Sequence, residues 1–299
     1  MSTFRNIIAK GTSFPPEANR YHLYISLTCP FSSRCNIVRK LKGLESVVGM
    51  SITGPIMHMD GGWKFEPEIE GCTPDQINNC ASIKDIYLKV NPSYSGSYSV
   101  PLLFDTKQGT IVNNEAGEIM RMLNSEFNEF AVDPNLDLSP KHLIPEMDSL
   151  NTFIYDNIGY GVYKCGLSPN QPAYDKNIDN LFNALDTIEK RLTTSRYLMG
   201  NVFTEADIRL FPTLARFDAA YYFVFKCNVQ RIQDYPALSN YLRELYQMPK
   251  LRESVNYDHI KRGYFGAKMV NPSGVVARGP KLDYLNEPHN RATIGQHTD

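Results

Sequence analysis

The sequence predicts a two-part molecule, an α/β domain followed by an all-helical one. Three observations carry this. Short apolar runs alternate with helical patterns through the first half, and after a turn-rich stretch at Asp133-Pro134-Asn135-Leu136-Asp137 the period becomes wholly helical. The chain, at 299 residues, is long enough to bury a core in each half. The reading divides it into a tail at 1–17, an α/β domain at 18–130, a linker at 131–141, a helical domain at 142–268 and an extended arm at 269–299.

Taken in order, His22-Leu23-Tyr24-Ile25-Ser26-Leu27 is a strand by its aromatic and β-branched content. A helix follows from Pro30, since proline suits a first helical turn, with Ile37, Val38 and Leu41 at helical spacing and Gly43 as its stop. Residues 47–52 read as a second strand, completing a βαβ unit. The stretch 54–81, with Gly61, Gly62 and Gly71, reads as a long loop of the kind that is usually functional. A short helix is expected over Ile83–Val90, then strands at 100–104 and 110–112 around Lys107-Gln108-Gly109, then a helix over 114–124. In the second half, Ile178, Leu181, Leu185, Ile188 and Leu192 form a 3-4-3-4 stripe. Thr204-Glu205-Ala206-Asp207 is a capping-box variant opening another helix. Further helices are expected over 237–248 and 259–265, and the Pro- and Gly-bearing arm after Asn271 reads as non-helical.

Composition narrows the function. Lys+Arg number 31 against 32 Asp+Glu, a net charge of −1, which argues against a phosphate-coating nucleic-acid binder. Absence of an apolar run of roughly 20 residues and of a secretory core at the N-terminus points to a cytoplasmic protein without membrane spans. Six cysteines without paired spacing suggest reduced thiols, and the six histidines lack metal-ligand spacing, so no metal is expected.

Chemistry concentrates at Thr28-Cys29-Pro30-Phe31-Ser32, where the first strand turns into the first helix. A cysteine at a helix N-terminus faces amide donors and the positive dipole end, which favour thiolate over thiol; Arg34, one turn on, adds positive charge. The plainer alternative is a small buried hydrophobe. With Ser32 in the place of a second cysteine, this is a one-thiol site. Val100-Pro101 looks like the cis-proline turn that leaves the preceding backbone available to a peptide-like thiol, or else a simple strand-edge device. Glu115, at the start of a helix, either complements the dipole or salt-bridges a ligand ammonium. Trp63, the only tryptophan, either staples its loop or walls a pocket. Among 18 tyrosines, Tyr160, Tyr163, Tyr221, Tyr222 and Tyr264 cluster in the helical half and would suit an aromatic substrate.

These features resemble a glutathione transferase: a thioredoxin-like domain with Cys-Pro at its first helix, then a helical domain whose core helix opens Thr-x-x-Asp. The runs YHLYISLTCPF, VRKLKGLE, GWKF, TIVNNE-x-x-EIMRMLNSEFN, GVYK, ADIRLFPTLARFD, FKCN, DYPALSNYLRELYQ, DHIKRGYF and NPSGVV resemble the glutathionyl-hydroquinone reductases, the Xi class near the omega class, along nearly the whole chain. The resemblance implies glutathione as co-substrate, no metal, a homodimer, and a cysteine that attacks a glutathionyl-hydroquinone and is freed by a second glutathione. Position by position, Cys29 resembles the nucleophile, and Phe31, Trp63, Val100, Pro101, Glu115 and Ala116 fall at glutathione-binding positions; Tyr163, Tyr221 and Tyr264 match the aromatic-substrate pocket. The family's CPWAHR is here CPFSSR, its arginine before the Val-Pro turn is Ser97, and its serine after the glutamate is Ala116. Each of the last two exchanges removes a donor worth about 1–3 kcal/mol of binding. Alternatives are an omega-like thioltransferase or dehydroascorbate reductase, and a binding protein of the same fold with weakened catalysis.

Overall fold

The computed structural model describes residues 4–58 and 62–295; Gly61 and the outermost ends of the tail and arm lie outside them. The chain forms two compact units, one of residues 4–137 with 258–263, the other of 138–257 with 264–295.

In the first unit, β1 (Tyr21–Ile25) is buried at every position because it is an interior strand, covered on both faces. It runs parallel to β2 (Gly49–Ile52), to which it is joined through α1 (Pro30–Leu41). Two strands, β3 (Met57–His58) and β4 (Gly62–Trp63), make a small hairpin within the stretch expected to be loop. The correction has a simple origin: strands of two residues carry no readable period. Next, α2 (Ile83–Val90) starts at the Ser82 cap, whose hydroxyl accepts from the Asp85 amide at 3.3 Å. Then β5 (Leu102–Asp105) pairs antiparallel with β1 and with β6 (Thr110–Asn113), giving the sheet order β2-β1-β5-β6. The Asp105 carboxylate holds this hairpin, accepting from the amides of Lys107 and Gln108 and pairing with Arg20 at 2.6 Å. Finally α3 (Ala116–Ser125) packs on α1. Gly43, at φ +65°, ends α1 as expected, and a side chain there would meet Val132 at 2.5 Å. Residues 4–8 dock on the sheet, with the Asn6 amide donating to the Val112 carbonyl and Ile8 buried.

The second unit is helical: α4 (Ile144–Ile154), α5 (Gly161–Gly166), α6 (Gln171–Leu192), α7 (Glu205–Arg216), α8 (Tyr222–Val224), α9 (Pro236–Gln247), α10 (Pro249–Arg252) and the two ends of α11 (Tyr257–Gly266). All five residues of the α6 stripe are buried, and the Thr204–Asp207 capping box forms as read. Single helical turns at Asp283–Asn286 and Arg291–Thr293 interrupt the arm expected to be non-helical. Their cause is packing: Tyr284 and Leu285 are buried, and the buried Arg291 guanidinium donates to the carbonyls of Leu192, Ser195 and Arg196. The stretch 142–268 is not one body, since residues 258–263 of α11 belong to the first unit. There the Thr28 hydroxyl sits 2.8 Å from the Pro55 carbonyl and 2.9 Å from that of His259. Among the described residues no helix is long and apolar enough to cross a membrane.

Candidate active site

The turn from β1 into α1 places Cys29 at the N-cap position, with extended backbone (φ −76°, ψ 120°) and Pro30 immediately inside the helix. Its amide donates to the Ser26 carbonyl at 3.1 Å, and its carbonyl accepts from the Ser33 amide at 3.1 Å. The backbone is thus fixed on both sides while the side chain is left to point elsewhere. Its Sγ lies 3.5 Å from the carbonyl oxygen of Val100, and the Val100–Pro101 bond is cis. Arg34 lies buried one turn along, its guanidinium 4.6 Å over the Phe31 ring.

Cys29, Trp63 and Val100 share one buried cluster with Tyr24, Tyr87 and Tyr94, and Phe31 packs against its edge. Glu115 caps α3: its amide takes a 2.7 Å bond to Asn113 Oδ1, and its carboxylate faces the Gly117 amide at 3.5 Å. Ala116 follows, buried, with its carbonyl 3.5 Å from Cys35 Sγ. The carboxylate thus stands at the helix start, where it complements the positive end of the α3 dipole.

The sequence reading missed the supports of this site. The Tyr94 hydroxyl donates to the Ser97 carbonyl and that of Tyr87 to the Ser99 carbonyl, each at 3.1 Å, so two phenols hold the segment that presents Val100. Burial pushes Tyr87 up to about 12 and keeps it a donor. Asp75 gathers the amides of Ile77, Asn78 and Cys80 and the Tyr24 hydroxyl, pinning the loop before α2. Gly263 packs so closely that a Cβ would stand 2.3 Å from Thr28 Cγ2. The DHIKRGYF run was the available signal for this last contact.

In the second unit, the three tyrosines expected to act together do meet. The Tyr264 hydroxyl lies 2.6 Å from that of Tyr163 and 2.9 Å from that of Tyr221. Phe225 stacks on Tyr221 at 5.5 Å between centroids, and Tyr160 stacks on Tyr163 at 6.2 Å. Burial, and then the neighbouring phenols, push Tyr264 well above the usual range, so it stays protonated. Tyr222 stands outside the trio, edge-on to Phe223. Among the described residues no group of three or more His, Cys, Asp or Glu side chains could hold a metal ion.

A thioredoxin-like domain with a cysteine at the N-cap of its first helix and a cis-proline beside it, followed by a helical domain, defines a protein of the glutathione-transferase architecture. Residues 28–126 match the glutathione S-transferase N-terminal domain and residues 171–244 the glutathione S-transferase C-terminal domain. The chain is 44% identical to the glutathionyl-hydroquinone reductase YqjG of Escherichia coli, over 97% of its length and 90% of that protein. The glutathione-bound structure of that protein superposes with a TM-score of 0.93 at 44% identity, covering 97% of this chain and 96% of the other. The glutathione S-transferase Xi of Phanerochaete chrysosporium superposes with a TM-score of 0.92 at 43% identity, covering 95% and 97%. The chain belongs to the glutathione S-transferase family, in the branch of the Xi-class and glutathionyl-hydroquinone reductase proteins.

Thiol labelling tests the reading of Cys29. Cys72 and Cys80 are more exposed, yet burial and then nearby carboxylates push both thiols up, Cys72 to about 11. Brief iodoacetamide treatment near neutral pH is expected to modify Cys29 before either of them. Peptide maps showing Cys72 or Cys80 alkylated first would refute the assignment.

Proposed function

We propose that this chain is a glutathione-dependent reductase of S-glutathionyl-hydroquinones with Cys29 as its nucleophile. The observation that carries the reading is the placement of Cys29 at a helix N-terminus, its sulfur 3.5 Å from the carbonyl before the cis-proline, in a chain akin to a glutathionyl-hydroquinone reductase. The Cys29 thiolate attacks the glutathionyl sulfur of the conjugate. The bond between that sulfur and the ring breaks, its electron pair passes to the ring carbon, and a proton is taken up there, releasing hydroquinone and leaving a Cys29–glutathione disulfide. A second glutathione attacks this disulfide, frees Cys29 and leaves as glutathione disulfide.

Phe31, Trp63, Val100, Pro101, Glu115 and Ala116 are the proposed glutathione contacts. The Val100 backbone would pair with the peptide, and Glu115 with its ammonium. Tyr163, Tyr221 and Tyr264 are the proposed hydrogen-bonding groups for the quinol oxygens, offered from a mutually hydrogen-bonded cluster. A cytoplasmic homodimer acting without metal, nucleic acid or membrane completes the proposal. The test supplies glutathionyl-hydroquinone and excess glutathione, then follows hydroquinone and glutathione disulfide. Equal release of both supports the reading; no release above the buffer rate overturns it.

Ser97 and Ala116 bear on affinity. Ser97 is exposed on the loop before Val100, and Ala116 is the first residue of α3. Ser97→Arg adds a fork able to grip a carboxylate, and Ala116→Ser a hydroxyl beside the helix amides. Because both would touch the peptide rather than the reacting bond, the double variant is expected to lower KM for glutathione roughly tenfold with kcat little changed. Weaker binding with loss of turnover would mean that the pocket is shaped for a different thiol.

A further inference from the structure

Two thiols outside the site described above lie together in the second unit. Cys165 sits near the end of α5, and Cys227 sits in the turn after α8; both are free and buried. Cys227 Sγ donates to the Val162 carbonyl, one helical turn before Cys165, at 3.9 Å, and lies 3.8 Å from the Phe225 carbonyl, so its turn packs on the last turns of α5. A cavity of about 300 Å³ opens on Cys165, with Ser168, Asn170, Tyr174 and Lys226 among its walls. The Tyr174 hydroxyl donates to the Lys226 carbonyl at 2.7 Å and braces the Cys227 turn from the other side.

We infer that Cys165 and Cys227 form a second, oxidisable dithiol centre, separate from Cys29, which a hydroperoxide closes to a disulfide and a dithiol reductant reopens. The arrangement distinguishes the two sulfurs. Cys165 lines the cavity, so it meets the oxidant; Cys227 is fully buried and outside the cavity lining, so it resolves the product. The directions of titration agree, since the neighbouring Cys227 thiol holds the Cys165 thiol down whereas burial pushes Cys227 up. In the first step the Cys165 thiol gives up its proton, the thiolate attacks a peroxide oxygen, the O–O bond breaks, and the departing hydroxide takes up that proton and leaves as water, with a sulfenic acid on Cys165. Cys227 then attacks that sulfur, gives up its proton and expels the second water. Two thiols and one hydrogen peroxide become one disulfide and two waters, with two electrons passed from sulfur to oxygen.

The bond would tie together the two segments that build the aromatic cluster. Tyr163 stands two residues before Cys165, and Phe225 two residues before Cys227, with their rings 5.3 Å apart. At Gly166 a Cβ would lie 2.2 Å from the Phe225 ring, so these segments already pack without slack. The crosslink also closes a loop of roughly 60 residues, which restricts the unfolded chain.

The test treats the reduced full-length protein with a modest excess of hydrogen peroxide, alkylates it under denaturing conditions, and maps the peptides without reductant. A linked Cys165–Cys227 peptide is expected, two hydrogens lighter than its parts, abolished by dithiothreitol and equally abundant in Cys29→Ala. The melting temperature should rise by several degrees on oxidation. In Cys165→Ala, Cys227 should remain an alkylatable thiol after the same treatment. Full alkylation of both cysteines in the oxidised wild type would overturn the inference. So would Cys165 ending as a sulfinic acid beside a free Cys227, or either thiol paired with another cysteine.

Discussion

Cys29→Ser is expected to lower hydroquinone release from a glutathionyl conjugate by roughly 10³-fold or more while leaving the affinity for the conjugate within a few-fold of wild type. Serine keeps the volume of the side chain and its place at the start of α1, so the Ser26 and Ser33 backbone bonds have no reason to change. A hydroxyl, however, ionises far less readily than a thiol, and an oxygen nucleophile cannot form the sulfur–sulfur bond on which the second half of the cycle depends. The loss should fall on kcat rather than KM, because the exchange removes an interaction made only as the bond breaks. Two measurements make the result specific. Calorimetric titration of glutathione into the variant should show binding preserved. Mass analysis of wild type mixed with conjugate and no second thiol should show one glutathione held on Cys29, absent from Cys29→Ser. A variant that turns over at the wild-type rate would mean that glutathione attacks the conjugate directly and that Cys29 is only a packed thiol.

How far the sequence reveals this site depends on the range of the interactions involved. Local chemistry was legible. Thr204 and Asp207 fix the start of α7 because each side chain reaches the other's amide, and the α6 stripe reads correctly because helical period and burial are the same fact seen twice. Cys29, Pro30 and the cis Val100–Pro101 turn could be located because each residue type suits few backbone positions. Long-range supports were hidden. Helical spacing within residues 258–263 announces a helix and not its partner, so the packing of Gly263 on Thr28 in the first unit had no signal beyond the family-like DHIKRGYF run. The phenols of Tyr87 and Tyr94 holding 97–100 were equally unreadable, because tyrosine is so often a core-edge residue. The pairing of Cys165 with Cys227 spans the whole of α6 and α7, and no spacing rule links thiols so far apart.

Asp207→Ala is expected to be among the most destabilising single exchanges in the second unit, at about 3–5 kcal/mol, which corresponds to a fall in melting temperature of roughly 10 °C or more. Asp207 is wholly buried, and its two oxygens collect four donors from three parts of the chain. Oδ1 accepts from the Leu198 amide at 2.9 Å and the Tyr241 hydroxyl at 2.8 Å; Oδ2 accepts from the Thr204 amide at 2.8 Å and the Thr204 hydroxyl at 3.3 Å. Alanine strands these donors away from water and removes half of the capping box that starts α7. Asp207→Asn separates charge from shape. It keeps one accepting oxygen and turns an NH₂ toward the remaining donors, so it should cost less than alanine but remain clearly destabilising. The pH dependence then has a definite sign. Burial pushes the Asp207 carboxyl up to about 6 despite its hydrogen bonds, above its ordinary value of 3.8. As pH falls from 7 toward 5 the folded chain therefore takes up this proton before the unfolded chain does, and proton uptake by the folded form adds stability. The amide cannot titrate, so the gap in melting temperature between wild type and Asp207→Asn should be wider at pH 5 than at pH 7.5. Scanning calorimetry of the two proteins at both pH values reads the difference directly. A gap that narrows or holds constant would mean that the four donors keep Asp207 ionised across this range, outweighing the cost of burying its charge.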